Sequence, residues 1–469
     1  MKKRGIVWFR QDLRLHDNEA IHEAIKLCDE IIYVYVLDSR LLDGRTSFGF
    51  PKMGNKRKVF LMDSVRDLKK NLRSRGVDLI VRSGLPEEVV FQLAQTYKTS
   101  WVFCNRERTE EEKNVQDSLE KRLWTIGQEI CYSRGKMLYY TQDLPFPVNH
   151  APDQFTSFRK EVEKITQVRT PLPEASSLKP FKDVEIKNEW PDHDSSYPEK
   201  GYAFRGGETE GLKRLRYYIW ESEAVSTYKD TRNGMLGADD SSKFSPWLAH
   251  GCLSPKMIYE ELTRYEEKVV ANDSTYWLFF ELLWRDFFRL MGKKHENKIF
   301  QLEGYTGGDE VSRDVDWTKF NKWRYGETGT PLVDAAMIEL RTTGWLSNRS
   351  RQIVASYLIN DLQLNWLMGA EWFESQLIDY DPCSNYGNWA YIAGVGSDTR
   401  PNRYFNVLSQ ARRYDPNGEY VKYWIPSLAD LNEKIVHQPD RIEGKKPTVG
   451  GPIPDHYLNP IIGSGKWAS

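Results

Sequence analysis

Cysteine is scarce in this 469-residue sequence. The five cysteines (Cys28, Cys104, Cys131, Cys252 and Cys383) are odd in number and scattered, with no C-x-x-C pair. That argues against a disulfide framework and against a zinc site. Long apolar runs are missing too, so no transmembrane helix is expected. Only four apolar residues, from Ile6, separate the basic start from Arg10-Gln11-Asp12, too few for a signal peptide. Neither sign of charge is in excess: 66 Lys and Arg face 67 Asp and Glu. This excludes a wholly basic DNA-coating protein but leaves room for a local basic groove. No G-x-G-x-x-G follows the first strand pattern and no Walker lysine motif exists, so neither the standard dinucleotide fingerprint nor a P-loop is the model. An intracellular, cytoplasmic protein is expected, with an organelle or the nucleus left open.

What is present is a chain that is 40% apolar and 28% charged, enough for substantial cores and, by length, two or three domains. Residues 1–130 alternate short β-branched or aromatic runs (6–9, 31–37, 78–81, 101–104) with helical patterns (18–27, 55–75, 86–97, 109–127). That rhythm predicts a parallel, Rossmann-like α/β sheet covered by helices on both faces. Residues 131–205 lose it and carry eight prolines from Pro145 to Pro198, which reads as a connector, with one short helix over 154–165. Residues 206–469 are helical in pattern with almost no strand signal, for example over 208–222, 256–270, 275–291, 331–342, 347–362 and 370–378. The last thirty residues, rich in Gly and Pro, are expected to trail over the surface.

Four segments carry possible chemistry. On a helix, Trp277, Glu281, Trp284 and Phe288 share one face. An aromatic stripe is usually core, but a carboxylate inside it needs a partner or a task. Arg285, four residues on, can supply that partner. A flat aromatic wall with one acceptor also suits a flipped base. Ser241, Ser242, Lys243, Phe244 and Ser245 precede a Pro-started helix. They read either as a phosphate cradle or as a plain N-cap by Ser245. Trp345, Asn348 and Gln352 fall on one helical face flanked by Arg349 and Arg351, the plainer reading being a solvated basic face. Asp379 to Trp389 packs two acids and two amides into a short run, for which loop caps are the plain reading. Asp379 and Asp381 are spaced to share a divalent metal, but no histidine lies near. No metal is expected. Twelve of the sixteen tryptophans follow residue 200. Most read as core, and a few invite a redox role.

Together with the opening Trp8-Phe9-Arg10-Gln11-Asp12-Leu13-Arg14-Leu15-His16-Asp17-Asn18, these segments resemble the photolyase/cryptochrome family in order and spacing, over nearly the whole chain. The resemblance implies an N-terminal antenna domain (1–130), a connector (131–205) and an all-α FAD-binding domain (206–469). It implies that Tyr228 and Ser241 to Ser245 grip the FAD pyrophosphate and that Asn348 and Arg351 line the flavin. Arg285 joins the cofactor-binding set. Arg351 should pair with Asp379, Asp381 should lie near the isoalloxazine or adenosine edge, and Asn385 should face flavin N5. A neutral amide there tolerates several flavin protonation states. The implied mechanism is light-driven: excited reduced FAD passes an electron to a flipped cyclobutane pyrimidine dimer, the ring splits and the electron returns. Glu281 would hydrogen-bond the dimer, and Trp284 and Tyr391 would stack beside it. Arg349, Gln352 and Arg403 would contact DNA. Trp389 and Trp366 match the inner members of a tryptophan relay, with Trp317 or Trp323 as the outer one.

Gln352, Tyr391 and the run 379–389 resemble the DASH branch, which implies a monomeric lyase of the deoxyribodipyrimidine photo-lyase type preferring single-stranded DNA. Tyr391 stands where a stacking Trp is usual. Base–aromatic stacking is worth roughly 1–3 kcal/mol. Unstacking a duplex costs a few kcal/mol. A weaker grip therefore favours single strands. The branch also implies methenyltetrahydrofolate as antenna, with Asn105, Glu107, Glu111 and Glu112 in the region that would meet it. The same residues also read as an acidic helix start. The alternative function is a blue-light photoreceptor that signals without repair. A (6-4) repair enzyme is disfavoured because the run 347–352 holds no histidine.

Overall fold

The computed structural model describes residues 2–467 apart from 187, 193, 308–310, 398–403 and 443–451. Its N-terminal part is built on five parallel strands: β1 (Arg4–Phe9), β2 (Glu30–Asp38), β3 (Leu79–Gly84), β4 (Trp101–Asn105) and β5 (Glu129–Ser133), in the order β3-β2-β1-β4-β5. Helices cover both faces, so the central strands are apolar throughout. Along β1 and β2, Ile6, Trp8, Ile32, Val34 and Val36 enter one core, while Val7, Phe9, Ile31, Tyr33, Tyr35 and Leu37 enter the other. β5 was not expected and lies across position 130. It is an edge strand whose first residue is exposed and whose next three are half-buried, so it lacks the apolar run of its neighbours.

The connector carries the expected short helix, Phe155–Ile165, and otherwise wraps the sheet, bridging Pro180 to Ile31. Beyond it the described residues are helical. The longest helix, Asp273–His295, starts at a capping box between Asn272 and Thr275. The run 379–389, expected as loop, instead turns into the helix Pro382–Ile392, with Asp381 as N-cap and Pro382 at its first position. The helix Trp317–Tyr325 lies inside the region expected to be helical, outside the segments given as examples.

The sheet's inner face and the helix Asp273–His295 share one core. Buried polar clamps join the two parts. Arg14 donates to the Gly251 carbonyl (2.8 Å), Lys256 pairs with Asp17 (2.7 Å), and Asp286 accepts the Leu138 and Tyr139 N–H groups (3.0 and 2.8 Å). A second core fills the C-terminal helices. The last residues correct the expectation of a surface tail. Tyr457 and Trp467 are buried in that core, and the Trp467 indole N–H reaches Asp361 (3.3 Å). Their aromatic area outweighs the Gly/Pro content around them. No helix among the described residues is long and apolar enough to cross a membrane.

Candidate functional site

Two cavities matter. The first, about 290 Å³, opens within the helical part. Tyr228, Ser241 to Ser245, Glu281, Arg285, Asn348, Arg351, Gln352, Asp379, Asp381, Asn385 and Trp389 all line it. The serine loop is set from behind by Arg214, on the helix Glu208–Arg216. Its guanidinium pairs with Asp239 (2.8 Å) and donates to the carbonyls of Ala238, Ser241 and Ser242 (3.0–3.1 Å). Lys243 takes a left-handed φ of 56° and lies over the Trp345 ring (4.2 Å). Burial pulls its ammonium down to about 8. Ser245 does not cap a helix as the plain reading had it. Its hydroxyl donates to Asp379 Oδ2 (2.6 Å), and Arg351 meets the same oxygen (2.6 Å) as expected. Asp379 Oδ1 stays buried with no partner among the described residues.

Asp381 pairs with Arg289 (2.8 Å) and accepts the Ser384 N–H (2.9 Å). Burial pushes its carboxyl up, but Arg289, Arg285 and the Ser384 N–H together hold it below its ordinary range. Asn385 Nδ2 donates to the Ala370 carbonyl (3.0 Å), which orients the amide. Glu281 does not pair with Arg285. Its partner is Arg232, in a direct hydrogen bond. Arg285 turns instead to the carbonyls of Lys136 (2.7 Å), in the connector, and Leu248 (3.3 Å), in the helical part. Burial raises the Glu281 carboxyl, against the pull of Arg232.

Trp284 and Tyr391 meet edge to face at 6.0 Å. Phe155, from the connector helix, lies flat on Trp284 at 3.7 Å. Arg349 is half-buried among Asn233 (3.3 Å) and the Tyr414 ring (4.8 Å), rather than on a solvated face. Arg403 lies outside the described residues. Behind the cavity, Trp389 touches the rings of Phe373 (5.1 Å) and Trp323 (6.3 Å). Arg214, Arg232, Arg289 and Phe155 were missed by sequence reading. Only Arg289, inside the run that also holds Glu281 and Arg285, carried a local signal.

The second cavity, about 610 Å³, lies between the two parts at the carboxyl ends of β1 and β2, where the strand order reverses toward β4. In open α/β sheets that is the usual ligand position. Glu107, Glu111 and Glu112 line it. Asn105 does not. It is fully buried, bonded to Asp12, Ser133 and the Gly135 N–H, so its role is to hold the strand ends.

The donor set of the first cavity suits a dinucleotide. Hydroxyls, a lysine, Arg351 beside a buried unpartnered carboxylate oxygen, and an oriented amide all line it. Comparison with known proteins agrees. Residues 277–467 match the FAD binding domain of DNA photolyase, and residues 5–177 match the DNA photolyase domain. The chain is 47% identical to a cryptochrome DASH of Synechocystis over 92% of its length and 90% of the relative's. It is 46% identical to a chloroplastic/mitochondrial cryptochrome DASH of Arabidopsis thaliana, covering 94% of this chain and 79% of that one. Its fold is similar to the Synechocystis cryptochrome crystal structure, with a TM-score of 0.92 and 45% identity over 97% and 96% of the two chains. FAD is thus the cofactor of the helical part, and the chain belongs to the photolyase/cryptochrome family, in its DASH branch.

Proposed function

We propose that this protein is a lyase that uses blue light to split cyclobutane pyrimidine dimers, preferring single-stranded DNA and acting as a cytoplasmic monomer. The observation that carries the reading is a single cavity shared by the FAD-facing groups and Glu281. When bound, reduced FAD supplies the light-excited electron. The remaining work belongs to the side chains. Glu281, its carboxyl raised by burial, donates a hydrogen bond to a dimer carbonyl where negative charge develops. Asn385 offers its amide oxygen toward a ligand N–H, since its NH₂ is held by Ala370. Trp284, stiffened by Phe155, and Tyr391 form the stacking wall. Arg349, Gln352 and Arg403 serve the DNA backbone. Trp389 begins the relay that keeps the cofactor reduced.

The interdomain cavity is proposed as the antenna site for methenyltetrahydrofolate, with Glu107, Glu111 and Glu112 on its wall. Arg57 supports a ligand there. It is buried, lines the cavity and has Nε and Nη1 without partners among the described residues. Mass spectrometry of small molecules released by denaturing the purified protein tests this, and absence of any folate would remove the antenna.

The main reading is tested by illuminating the purified protein with dimer-containing oligonucleotides, single- and double-stranded. Faster repair of single strands is expected. Equal rates on duplex would end the strand preference. Flavin absorbance without repair would transfer the function to light sensing.

A further inference from the structure

We infer that residues 151–155 of the connector form a strut that positions Trp284, so that a flipped dimer meets one fixed face of that ring. The inference rests on the reading that Trp284 stacks beside the dimer.

A ring offers two faces, and stacking a base needs one of them free and held at a set angle. Phe155 covers one face of the half-buried Trp284, with centroids 3.7 Å apart and planes 8° apart. Tyr391 (6.0 Å, 78°) and Phe287 (5.7 Å, 87°) cross Trp284 at steep angles. A base that stacks on Trp284 therefore takes the face turned away from Phe155.

Aromatic pairs favour offset or edge-to-face contact over an eclipsed sandwich. The near-eclipsed stack of Phe155 on Trp284 is thus held by its surroundings more than by its own attraction. Phe280 (5.1 Å, 81°) and Phe287 (5.6 Å, 79°) pin Phe155 at steep angles. Two residues earlier, Asp153 is anchored. Its Oδ2 accepts a hydrogen bond from Lys294 Nζ (2.8 Å), and its Oδ1 lies 2.5 Å from His295 Nε2. Lys294 also donates to the Ala151 carbonyl (2.8 Å), and His295 is stacked on Tyr305 (4.1 Å, 9°). Burial raises the Asp153 carboxyl, but Lys294 and His295 together hold it below its ordinary range, so it is charged at neutral pH. Trp284, Lys294 and His295 all stand on the helix Asp273–His295. The connector therefore meets that helix at two points, and the ionic one fixes where Phe155 sits.

With Phe155 in place, the Trp284 indole cannot swing toward the connector, and the wall is set before the dimer arrives. Without a flat ring there, the indole must be ordered at the moment of binding, which costs affinity.

The experiment uses FAD-loaded protein in the dark and measures, by fluorescence anisotropy, binding of a dimer-containing single strand and of the same strand undamaged. Phe155→Leu keeps an apolar side chain but no flat ring. It should weaken binding of the dimer strand by roughly two- to tenfold, the worth of one aromatic pair, and leave the undamaged strand as it was. Phe155→Tyr, which keeps the ring, should restore most of the loss. Asp153→Ala, at an exposed position, should cause a smaller loss of the same kind. Phe158→Leu controls for lost packing alone. Phe158 lies on the same helix as Phe155, and its ring contacts among the described residues are Phe146, Phe155 and Phe287. This variant should lower Tm without changing the preference for the dimer strand. In a Trp284→Leu background, Phe155→Leu should add little, since the strut acts through that ring. A full effect in that background, or an equal loss in Phe158→Leu, would overturn the strut. So would unchanged dimer binding in Phe155→Leu when the wild-type protein prefers the dimer strand. Wild-type protein that holds both strands equally would overturn the dimer reading, and the strut with it.

Discussion

Glu281 shows how one buried carboxyl is given a task. Its neighbours on the helix are aromatic, and burial raises its affinity for a proton while Arg232 opposes that. A neutral carboxyl donates a hydrogen bond and a carboxylate does not, so repair should fall as pH rises above the ordinary carboxylate range. Glu281→Gln keeps a neutral donor and should flatten that profile. Glu281→Ala should slow repair by roughly 10²–10³-fold, as loss of one donor to a developing charge does elsewhere. An unchanged pH profile in Glu281→Gln would remove the carboxyl from this role. Tyr391→Trp should enlarge the stacking wall. A gain of about 1 kcal/mol per stacked base would shift activity toward duplex substrates. Repair of matched single- and double-stranded oligonucleotides by this variant measures the shift, and an unaltered ratio would mean that Tyr391 does not set the preference.

At the scale of elements, the serine loop illustrates preorganisation. Its carbonyls at 238, 241 and 242 turn back onto Arg214, which leaves its hydroxyls on the cavity side. Hydrogen bonds to a charged donor are worth roughly 1.5–3 kcal/mol each. Arg214→Ala should therefore weaken FAD retention by at least about tenfold, since 1.4 kcal/mol is a factor of ten. Arg214→Lys, which cannot fork to three carbonyls and a carboxylate, should rescue only part. FAD dissociation measured by flavin fluorescence, with far-UV circular dichroism to confirm the fold, checks this. Full retention in Arg214→Ala would show that the loop holds its shape unaided.

The whole molecule carries buried acids whose titration reaches its stability. Burial pushes Asp334 up to about 7, against bonds from Thr328 and the Gly329 N–H, and Glu339 up to about 8, against Tyr420. A carboxyl that binds its proton more tightly folded than unfolded stabilises the fold fully below its unfolded pKa. It loses that contribution as pH rises through the folded one. These two groups should make stability decline from about pH 4, near the unfolded carboxylate values, toward the folded ones. Denaturant melts across that window test it, with Asp334→Asn expected to flatten the slope. A slope that does not change in this variant would remove Asp334 as its source.

Much of this is legible in the amino-acid sequence. Period-two and period-3.6 patterns report which face of a segment is buried, so the parallel sheet, the helical half and most helix positions follow from local residue order. The ordered motifs lead to the family and to Tyr228, the serine loop, Arg351 with Asp379, and Asn385. The edge strand Glu129–Ser133 escapes because its alternation is weak, and the helix Pro382–Ile392 because its cap residues also suit a loop. What the tertiary structure alone decided is pairing. Arg232 took Glu281 from 49 residues away, Phe155 settled on Trp284, and Trp323 came to touch Trp389. The physical reason is that periodicity encodes burial, a property of one segment, whereas a partner is chosen by the nearest group in space after distant segments have packed.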